Sequence, residues 1–396
     1  MKLYKNLVNS IALTLQEIFT KNRYADKALE KLFKQNPQWG SRDRRFVAEG
    51  VYDVVRNFRL YSTLAESKNN FWFITAVWLV VKEIPLPEWP EFKHVNPDFI
   101  RGSAEKLKDS LPTYQSYPDW LWEYGVAELG REIWEREALA LNEQAPVFLR
   151  ANTLKTSREK LAESFKNDKI ETSAIPGVLD GLQLSKRENV FRSKLFKEGG
   201  FEVQDAGSQL ISVFLAPNPN DVVIDACAGA GGKSLHLAAL MKNKGKIISL
   251  DVEAWKLEEL KKRAKRAGAF NIETRLIEGK QTINSLAGKA DKLLLDVPCS
   301  GMGVLKRNPD AKWKLSAEVM ERTKQLQKEI ISDYSNMVKI NGKMMYSTCS
   351  IFPGENQLQV RNFLSTNHNF QLLEDKTLFP SEGFDGFYMA LLQRTS

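Results

Sequence analysis

The sequence predicts an α/β protein in which a mostly parallel sheet, covered by helices on both faces, follows a helical N-terminal region. Three observations lead to this prediction. From residue 206 onward, short apolar strand candidates alternate with helical segments, a pattern typical of parallel sheets. A glycine-rich turn joins the first of these strands to a helix. The first 113 residues instead carry apolar residues at helical spacing.

The composition is that of an ordinary folded protein. A length of 396 residues suggests two or three domains, and 43% hydrophobic with 27% charged residues is usual for globular chains. The longest apolar run, residues 71–81, is far too short to cross a bilayer. Gln16 and Glu17 stand where a signal peptide would need its cleavage region. We therefore expect a cytoplasmic protein without a membrane partner.

The charge balance and the metal-binding residue types bear on possible partners. The formal net charge of +8 favours a polyanionic partner, since excess lysine and arginine attract phosphates. The excess is spread along the chain, and a run such as residues 261–266 is more often a solvated helix face than a binding site. Three cysteines and three histidines, without C-x-x-C or H-x-x-x-H spacing, indicate neither a disulfide framework nor a metal site.

Residues 1–113 are predicted to be helical. Apolar residues recur at helical spacing within residues 3–19, 28–33 and 46–58, with arginines on the exposed side. No set of residues suited to catalysis occurs in this region of the sequence.

Residues 114–205 are predicted to form a small α+β subdomain. The region opens with a helix rich in aromatic residues: Trp120, Trp122, Tyr124 and Trp134. Residues 147–152 are a strand candidate, and a further helix is predicted from Ser157.

Residues 206–396 are predicted to hold the parallel sheet. The predicted strands end at Asp225, Asp251, Glu278, Asp296 and Thr348. All three cysteines of the chain follow carboxyl ends of these strands, which is not where an inert core thiol usually lies: Cys227, Cys299 and Cys349. Ligands of open α/β sheets bind at that edge. We therefore expect the cysteines and the strand-end acids to line one cleft.

The glycine-rich turn DACAGAGGKS, from Asp225 to Ser234, is predicted to bind a cofactor. It is not a phosphate-binding P-loop, because Cys227 stands where that motif needs its first glycine, and the dinucleotide pattern fails at Ser234. About 20 residues beyond Gly231, a strand ends in Asp251, where a carboxylate can hydrogen-bond a ribose. A glycine loop with a strand-end acid suggests an adenosine ligand, and an ordinary strand-turn-helix is the alternative.

The motifs at the strand ends resemble those of the RsmB-like, or Sun-type, RNA cytosine-5 methyltransferases. The family's cofactor loop usually reads D-x-C-A-A-P-G-G-K-T, and this loop departs from it at Gly229, Ala230 and Ser234. Glu278 stands where the family usually has aspartate. The other matching segments extend over nearly the whole chain: Tyr117-Pro-x-Trp120-Leu121, Arg150-Ala-Asn152, Gln204-Asp205-x-x-Ser208-Gln209, Asp296-x-Pro298-Cys299-Ser300, Lys306-Arg307-x-Pro309-Asp310-x-Lys312-Trp313, Thr348-Cys349-Ser350, Glu355-Asn356 and Asp385-Gly386-Phe387.

This resemblance implies a Rossmann-like class I methyltransferase core that uses S-adenosylmethionine. The residues that it assigns to the cofactor are those of the loop and the strand-end acids: Cys227, Ala228, Gly229, Ala230, Gly231, Gly232, Lys233, Asp251, Glu278 and Asp296. It assigns RNA contacts to Arg150, Asn152, Lys306 and Arg307. No metal is expected.

The family's reaction explains the need for two cysteines and an aspartate. Carbon 5 of cytosine is too weak a nucleophile until a thiolate adds at carbon 6. The resemblance implies that Cys349 is this nucleophile and that Cys299 assists release of the carbon 5 proton. Asp296, if protonated or sharing a proton, would stabilise the charge at ring nitrogen 3. The pKa of Cys349 must fall below its ordinary value, for which Lys233 or Arg307 would be responsible.

The N-terminal region resembles the helical NusB-like domain of ribosomal RNA enzymes, with a generic helical bundle as the alternative. The matching residues are Arg42-Asp-Arg-Arg-Phe46, Val51-Tyr52 and Arg56. Four arginines of this region are expected to contact RNA phosphates: Arg42, Arg44, Arg45 and Arg56. We expect a monomer with a NusB-like RNA-binding domain over residues 1–113, an RNA-recognition subdomain over 114–205 and the methyltransferase domain over 206–396.

Small-subunit ribosomal RNA is the expected substrate, and transfer RNA is the alternative. DNA cytosine-5 methyltransferases use only the Pro-Cys thiol, so the presence of both Cys299 and Cys349 favours RNA. Amino-methylating enzymes usually carry an Asn/Asp-Pro-Pro-aromatic stretch, which residues 297–300 do not match. The target cytosine must be flipped out or single-stranded. A non-catalytic ribosomal RNA-binding assembly factor is a further alternative, against which the intact catalytic residues argue.

Overall fold

The computed structural model describes residues 3–396, which divide into two compact units. The first unit comprises the chain up to Glu143 together with Leu305–Ala317, and the second comprises Gln144–Val304 and Glu318–Ser396. The helical unit thus extends beyond residue 113, where the sequence analysis ended it. No helix within the described range is both long and apolar enough to cross a membrane.

Helices form the first unit, and the second combines helices with two sheets. The helices are α1 (Lys5–Thr20), α2 (Ala25–Gln35), α3 (Ser41–Arg56), α4 (Phe58–Leu64), α5 (Phe71–Val81), α6 (Pro97–Leu107), α7 (Leu111–Tyr114), α8 (Asp119–Leu129), α9 (Arg131–Leu141), α10 (Arg158–Asn167), α11 (Lys194–Lys197), α12 (Ala206–Leu215), α13 (Gly232–Leu240), α14 (Ala254–Ala267), α15 (Lys280–Asn284), α16 (Ala311–Lys314), α17 (Ala317–Tyr334) and α18 (Gln357–Thr366). The strands are β1 (Phe148–Ala151), β2 (Thr172–Ala174), β3 (Gly181–Leu184), β4 (Phe201–Val203), β5 (Val222–Asp225), β6 (Lys246–Asp251), β7 (Ile272–Leu276), β8 (Ala290–Asp296), β9 (Val338–Thr348), β10 (Phe370–Leu378) and β11 (Phe387–Arg394).

Amphipathic helices surround one apolar core in the first unit. In α1, buried Leu7, Ile11, Leu15 and Ile18 recur at helical spacing, as the sequence predicts. Helix α5 is the apolar run of residues 71–81, and most of its side chains are buried in this core. The longest apolar run of the chain is therefore a core helix.

A segment from the C-terminal half of the sequence, Leu305–Ala317, belongs to the helical unit. The indole N–H of Trp313 donates to the carbonyl oxygen of Val55 at 2.7 Å. Lys312 is 1% exposed, and its ammonium donates to the carbonyl oxygen of Arg56 at 2.8 Å. The segment lies within the predicted methyltransferase domain, residues 206–396, because residue order alone does not reveal an excursion into another unit.

A four-stranded sheet in the order β2-β3-β1-β4 begins the second unit, and its paired strands are antiparallel. Helix α10 packs on this sheet, and the Ser157 hydroxyl caps it by accepting from the backbone N–H of Lys160. Leu149, Leu161 and Phe201 belong to the small apolar core between them. The predicted strand over 147–152 and the predicted helix after Ser157 are confirmed.

The main sheet has seven strands in the order β10-β11-β9-β8-β5-β6-β7. Strands β5 to β9 pair in parallel, whereas β10 and β11 add an antiparallel edge that the sequence analysis did not predict. The sheet is thus mostly parallel, as predicted. Because β5 lies between β6 and β8, the strand order reverses at β5, and ligands of such sheets bind at the reversal point.

The carboxyl ends of four neighbouring parallel strands lie at the same edge of this sheet. Strands β5, β6, β8 and β9 end at Asp225, Asp251, Asp296 and Thr348, as predicted. Strand β7 ends at Leu276, slightly before the predicted Glu278, an offset that is usual for element boundaries. This edge carries the residues discussed next.

Candidate active site

The glycine loop joins β5 to α13 through a turn with two left-handed residues, a conformation that favours glycine. Gly229 and Gly231 have φ angles of +53° and +85°, which other residues rarely adopt. A Cβ added at Gly231 would lie 2.4 Å from the Leu260 side chain, whereas a Cβ added at Gly229 would meet nothing within 4 Å. The backbone at Gly229 therefore faces open space, which is the cradle that a bound cofactor needs.

Asp251 holds this loop from the end of the neighbouring strand. The side chain is buried, and its two oxygens accept hydrogen bonds from the backbone N–H groups of Gly229 and Glu253, both at 2.9 Å. Each carboxylate oxygen can accept a second hydrogen bond. Asp251 can therefore hold the loop and bind a ribose hydroxyl together, so the residues present fit an adenosine cofactor.

Asp251→Ala is expected to weaken S-adenosylmethionine binding by about 10- to 100-fold, because a hydrogen bond to a charged acceptor contributes roughly 1.5–3 kcal/mol. Isothermal titration calorimetry measures this change, and circular dichroism checks that the fold is intact. Glu258→Ala removes a largely exposed carboxylate of α14 and serves as the matched control. An affinity equal to that of the control variant would contradict the role of Asp251.

Asp225, at the end of β5, is a buried acid that the sequence analysis did not include among the site residues. Its side chain is 1% exposed and accepts a hydrogen bond from the Ser234 hydroxyl at 2.6 Å. Burial raises its pKa to about 7, and the charge of Asp296 acts in the same direction. Asp225 therefore carries a proton in the folded protein below neutral pH. Its strand-end position and its match to the first residue of the family's cofactor loop were the sequence signals for it.

This proton predicts a pH dependence of stability. Between the ordinary carboxyl pKa of 3.8 and about 7, the folded protein keeps a proton on Asp225 that the unfolded chain has lost. Its contribution to the free energy of unfolding is therefore complete below 3.8 and is lost as the pH rises through about 7. Asp225→Asn stays neutral and can still accept from Ser234, so its free energy of unfolding should lack this decline.

Urea unfolding of the wild type and Asp225→Asn at several pH values between about 5 and 8 tests this expectation. Asp168→Asn, at an exposed position, is the control and should decline as the wild type does. Identical pH slopes for Asp225→Asn and the wild type would mean that Asp225 is already ionised across this range.

Lys233 and Asp296 form an ion pair between the glycine loop and the end of β8. The Lys233 Nζ lies 2.6 Å from Asp296 Oδ2, and the Ser347 hydroxyl donates to the other oxygen at 3.1 Å. Burial alone would lower the pKa of Lys233, but the charge and hydrogen bond of Asp296, together with smaller contributions from Asp225 and Cys349, hold that pKa above its ordinary value. Lys233 therefore keeps its proton, and Asp296 shares it through this hydrogen bond.

Cys299 and Cys349 lie side by side at the ends of β8 and β9. Their Sγ atoms are 3.0 Å apart, both thiols are free, and the backbone N–H of Cys349 donates to Cys299 Sγ at 3.2 Å. The parallel pairing of β8 with β9 creates this proximity, since it aligns Asp296 with Ser347. The two cysteines that the sequence analysis selected for catalysis are thus brought together.

The Cys299 thiol holds its proton firmly. The hydrogen bond with Cys349, followed by burial and the charges of Cys349 and Glu355, raises the pKa of Cys299 well above its ordinary value. The Cys299 thiol therefore keeps its proton at neutral pH.

Cys227, the third cysteine, does not join this pair. Its side chain packs against the core of the main sheet. Burial first, and then the charges of Asp225, Asp296 and Asp251, raise the pKa of Cys227 well above its ordinary value. The thiol therefore stays protonated and is unsuited to nucleophilic attack, which leaves the backbone of Cys227 as its contribution to the cofactor loop.

Arg150 and Asn152, which were predicted to contact RNA, are instead buried, at 2% and 4% exposure. The Arg150 guanidinium donates to the carbonyl oxygen of Gly232 at 2.8 Å. The Asn152 amide donates to the carbonyl oxygens of Gly199 and Ala267 at 2.8 and 2.7 Å. These bonds join the small sheet to α13 and α14. The prediction of direct RNA contact is thereby corrected, because both side chains are occupied inside the protein.

The basic residues predicted to bind RNA in the first unit also differ in accessibility. Lys306 is 3% exposed, and the guanidinium groups of Arg44 and Arg56 donate to backbone carbonyl oxygens of the same unit. Their contributions are therefore structural within the helical unit. Arg42 and Arg45 are exposed and remain predicted phosphate contacts.

The remaining predicted site residues lie outside the group formed by the thiols and the ion pair. Glu278 is exposed beyond the end of β7, and Arg307 is half-buried in the first unit. Their assigned roles stay predictions. Within residues 3–396, no group of three or more His, Cys, Asp or Glu side chains could hold a metal ion.

Sequence comparisons identify relatives over most of the chain. Residues 212–393 match the family described as 16S rRNA methyltransferase RsmB/F, and residues 117–191 match its ferredoxin-like domain. The probable ribosomal RNA small subunit methyltransferase B of Synechocystis is 30% identical over 91% of this chain and 89% of that protein. The ribosomal RNA small subunit methyltransferase B of Vibrio vulnificus is 32% identical over 70% of this chain and 66% of that protein.

Solved structures support the same relationship. The crystal structure of PH0851 matches with a TM-score of 0.84 and 25% identity over 100% of both chains. A methyltransferase homologue from Pyrococcus horikoshii matches with a TM-score of 0.64 and 26% identity, over 74% of this chain and 99% of that one. S-adenosylmethionine is the cofactor that this relationship indicates. The chain belongs to the RsmB/F family of 16S rRNA methyltransferases.

Proposed function

We propose that this protein methylates carbon 5 of a cytosine in small-subunit ribosomal RNA, with Cys349 as a covalent nucleophile. The observation that carries the proposal is the pair of thiols 3.0 Å apart, next to the ion pair of Lys233 and Asp296. A pair of neighbouring thiols suits a reaction in which one sulfur forms a covalent bond to the base and the other assists release of the base. The names of the relatives support ribosomal RNA as the substrate.

The first step activates the base. Cys349 attacks carbon 6 as a thiolate, while Cys299 keeps its proton and hydrogen-bonds the attacking sulfur. The new C–S bond pushes ring electrons toward carbon 5 and nitrogen 3. Lys233 and Asp296 offset the charge at nitrogen 3 and can place their shared proton there. Bound S-adenosylmethionine supplies the electrophilic methyl group for carbon 5.

The second step releases the methylated base. Once the sulfur of Cys349 is bonded to carbon, it loses the charge that held the proton on Cys299, and Cys299 releases that proton to solvent. The Cys299 thiolate then removes the proton from carbon 5. The electron pair of that C–H bond restores the ring double bond, and the sulfur of Cys349 leaves with the electron pair of the C–S bond. The proton placed on nitrogen 3 returns to the pair of Lys233 and Asp296. Each turnover therefore releases one proton.

Nucleoside analysis tests the proposed product. The full-length protein is incubated with S-adenosylmethionine carrying a labelled methyl group and with either unmodified small-subunit ribosomal RNA or transfer RNA. The proposal expects label only in 5-methylcytidine from ribosomal RNA, and bisulfite sequencing should locate it at one cytosine. Label in another nucleoside would contradict the carbon 5 assignment, and label in transfer RNA alone would contradict the ribosomal substrate. No label in either RNA would favour a non-catalytic assembly factor.

A further inference from the structure

A buried carboxylate, Glu355, connects the two loops that carry the catalytic cysteines. Its side chain is 0% exposed. One oxygen accepts from the backbone N–H of Ser300 at 2.8 Å and from the side-chain amide of Gln327 at 3.0 Å. The other accepts from the hydroxyls of Ser300 and Ser350, both at 2.5 Å. Four hydrogen bonds from three separate segments thus meet on one side chain.

The two serines are the residues that follow the cysteines in the chain. Ser300 comes directly after Cys299, and Ser350 comes directly after Cys349. Any displacement of one loop relative to the other would therefore break bonds to Glu355 while it changed the distance between the two sulfur atoms. Rigid positions require a side chain that is itself held, and the bonds of Glu355 add to the pairing of β8 with β9 in restraining the two loops that carry the thiols.

The surroundings of Glu355 hold it in turn. The Tyr346 hydroxyl donates to its carbonyl oxygen at 2.7 Å, and Gln327 also donates to the carbonyl oxygen of Pro298 at 2.9 Å. Asn356, the next residue, accepts from the Thr348 hydroxyl and donates to the carbonyl oxygen of Ser350 at 3.0 Å. Both cysteine loops are thus fixed by side chains from the turn after β9 and from α17.

No salt bridge neutralises Glu355 among the residues that the structure describes. Burial of a carboxylate without a cationic partner is costly, and a neutral residue could fill the same space. The four hydrogen bonds offset part of the cost of burying the carboxylate. Its two oxygens accept these bonds, which an apolar residue could not do. The negative charge also acts on Cys299, so this site combines a geometric with an electrostatic effect.

We propose that Glu355 is a positioning residue that aligns Cys299 with Cys349 through Ser300 and Ser350. Its charge also disfavours a second thiolate beside Cys349, so that one sulfur attacks and the other keeps its proton. The catalytic consequence rests on the proposed function. The alignment of the thiols does not depend on the proposed function, because it can be measured without RNA or S-adenosylmethionine.

Disulfide formation by diamide measures the alignment on the full-length protein. The two thiols give up two protons and two electrons to form the S–S bond, and diamide accepts all four to become the hydrazine. Peptide mapping quantifies the Cys299–Cys349 bond over time. Glu355→Ala should slow its formation by about 10-fold or more, because misplacement by about 1 Å is costly for such reactions. Glu355→Gln can accept from Ser300 and Gln327 and donate to both hydroxyls, and it removes a charge that disfavours the Cys299 thiolate, so it should form the bond at least as fast as the wild type.

Glu374→Ala, at an exposed position, is the control for loss of a carboxylate. A wild-type rate of disulfide formation in Glu355→Ala would overturn the proposal. If Glu355→Ala does not fold, the double variant Ser300→Ala with Ser350→Ala keeps the carboxylate and removes both hydroxyl contacts. It should also slow the reaction, and an unchanged rate would overturn the proposal equally.

The pH profile of methylation separates positioning from a merely structural contribution. Glu355→Gln removes the charge that acts on Cys299, so the limb of the profile that reports on Cys299 should move to lower pH while the maximal rate stays close to the wild-type value. Glu355→Ala should lower the maximal rate without a change in S-adenosylmethionine affinity. An unmoved profile in Glu355→Gln would contradict the electrostatic effect. Slow disulfide formation without any methylation by the wild type would retain the positioning and refute the proposed function instead.

Discussion

Cys349→Ala is expected to abolish methyl transfer, with a loss of at least about 10⁴-fold, as is usual when a covalent nucleophile is removed. Without the sulfur at carbon 6, carbon 5 never becomes nucleophilic, and no other group described here can replace it. Single-turnover transfer of labelled methyl to RNA measures the loss.

Binding measurements are the control for this variant. Cys349 makes no hydrogen bond to the glycine loop in the structure, so Cys349→Ala should bind S-adenosylmethionine as the wild type does. Ser365→Ala, an exposed substitution on α18, should keep full activity. Residual methylation within about 10-fold of the wild-type rate would exclude Cys349 as the nucleophile, since removal of a covalent nucleophile lowers the rate far more than that.

Asp296→Asn is expected to lower the rate of methylation by about 10²- to 10³-fold, the usual effect of losing one group that stabilises developing charge. Asparagine nearly keeps the shape of aspartate but cannot share a proton with Lys233 at 2.6 Å. Binding of S-adenosylmethionine should change less than the rate does. Rapid-quench measurement of one turnover reports this chemical step separately from product release.

A double-mutant cycle with Lys233→Met tests whether the two residues act as one unit. Because the pair shares a proton, the double variant should lose little more activity than Asp296→Asn alone. If the rate loss of the double variant equals the product of the two single losses, Lys233 and Asp296 act independently. That result would contradict their shared role at nitrogen 3.

The candidate catalytic group was predictable from the sequence because its members follow the ends of parallel strands. Strand-end positions are visible as apolar runs that stop at a polar residue, as at Asp251 and Asp296. Parallel pairing then places such residues at one edge, whatever their separation in the chain. The proximity of Cys299 and Cys349 follows from this rule, and the resemblance supplied their roles.

Other parts of the site depend on contacts that no local pattern encodes. Glu355 and Asn356 matched a family motif, but their bonds to both cysteine loops depend on how a turn folds back after β9. Arg150 is basic and so suggested RNA, yet its bond to Gly232 is a tertiary contact. The inclusion of Leu305–Ala317 in the helical unit has the same origin, since the sequence shows no boundary there.

The most direct test of the account is whether RNA stays bound to Cys349 when Cys299 is absent. Cys299→Ala is incubated with S-adenosylmethionine and small-subunit ribosomal RNA and analysed on a denaturing gel, beside Cys349→Ala and the wild type. The account predicts a slowly migrating covalent complex for Cys299→Ala only, with mass spectrometry locating the RNA on the peptide that contains Cys349. A complex formed by Cys349→Ala and not by Cys299→Ala would contradict the account and make Cys299 the nucleophile.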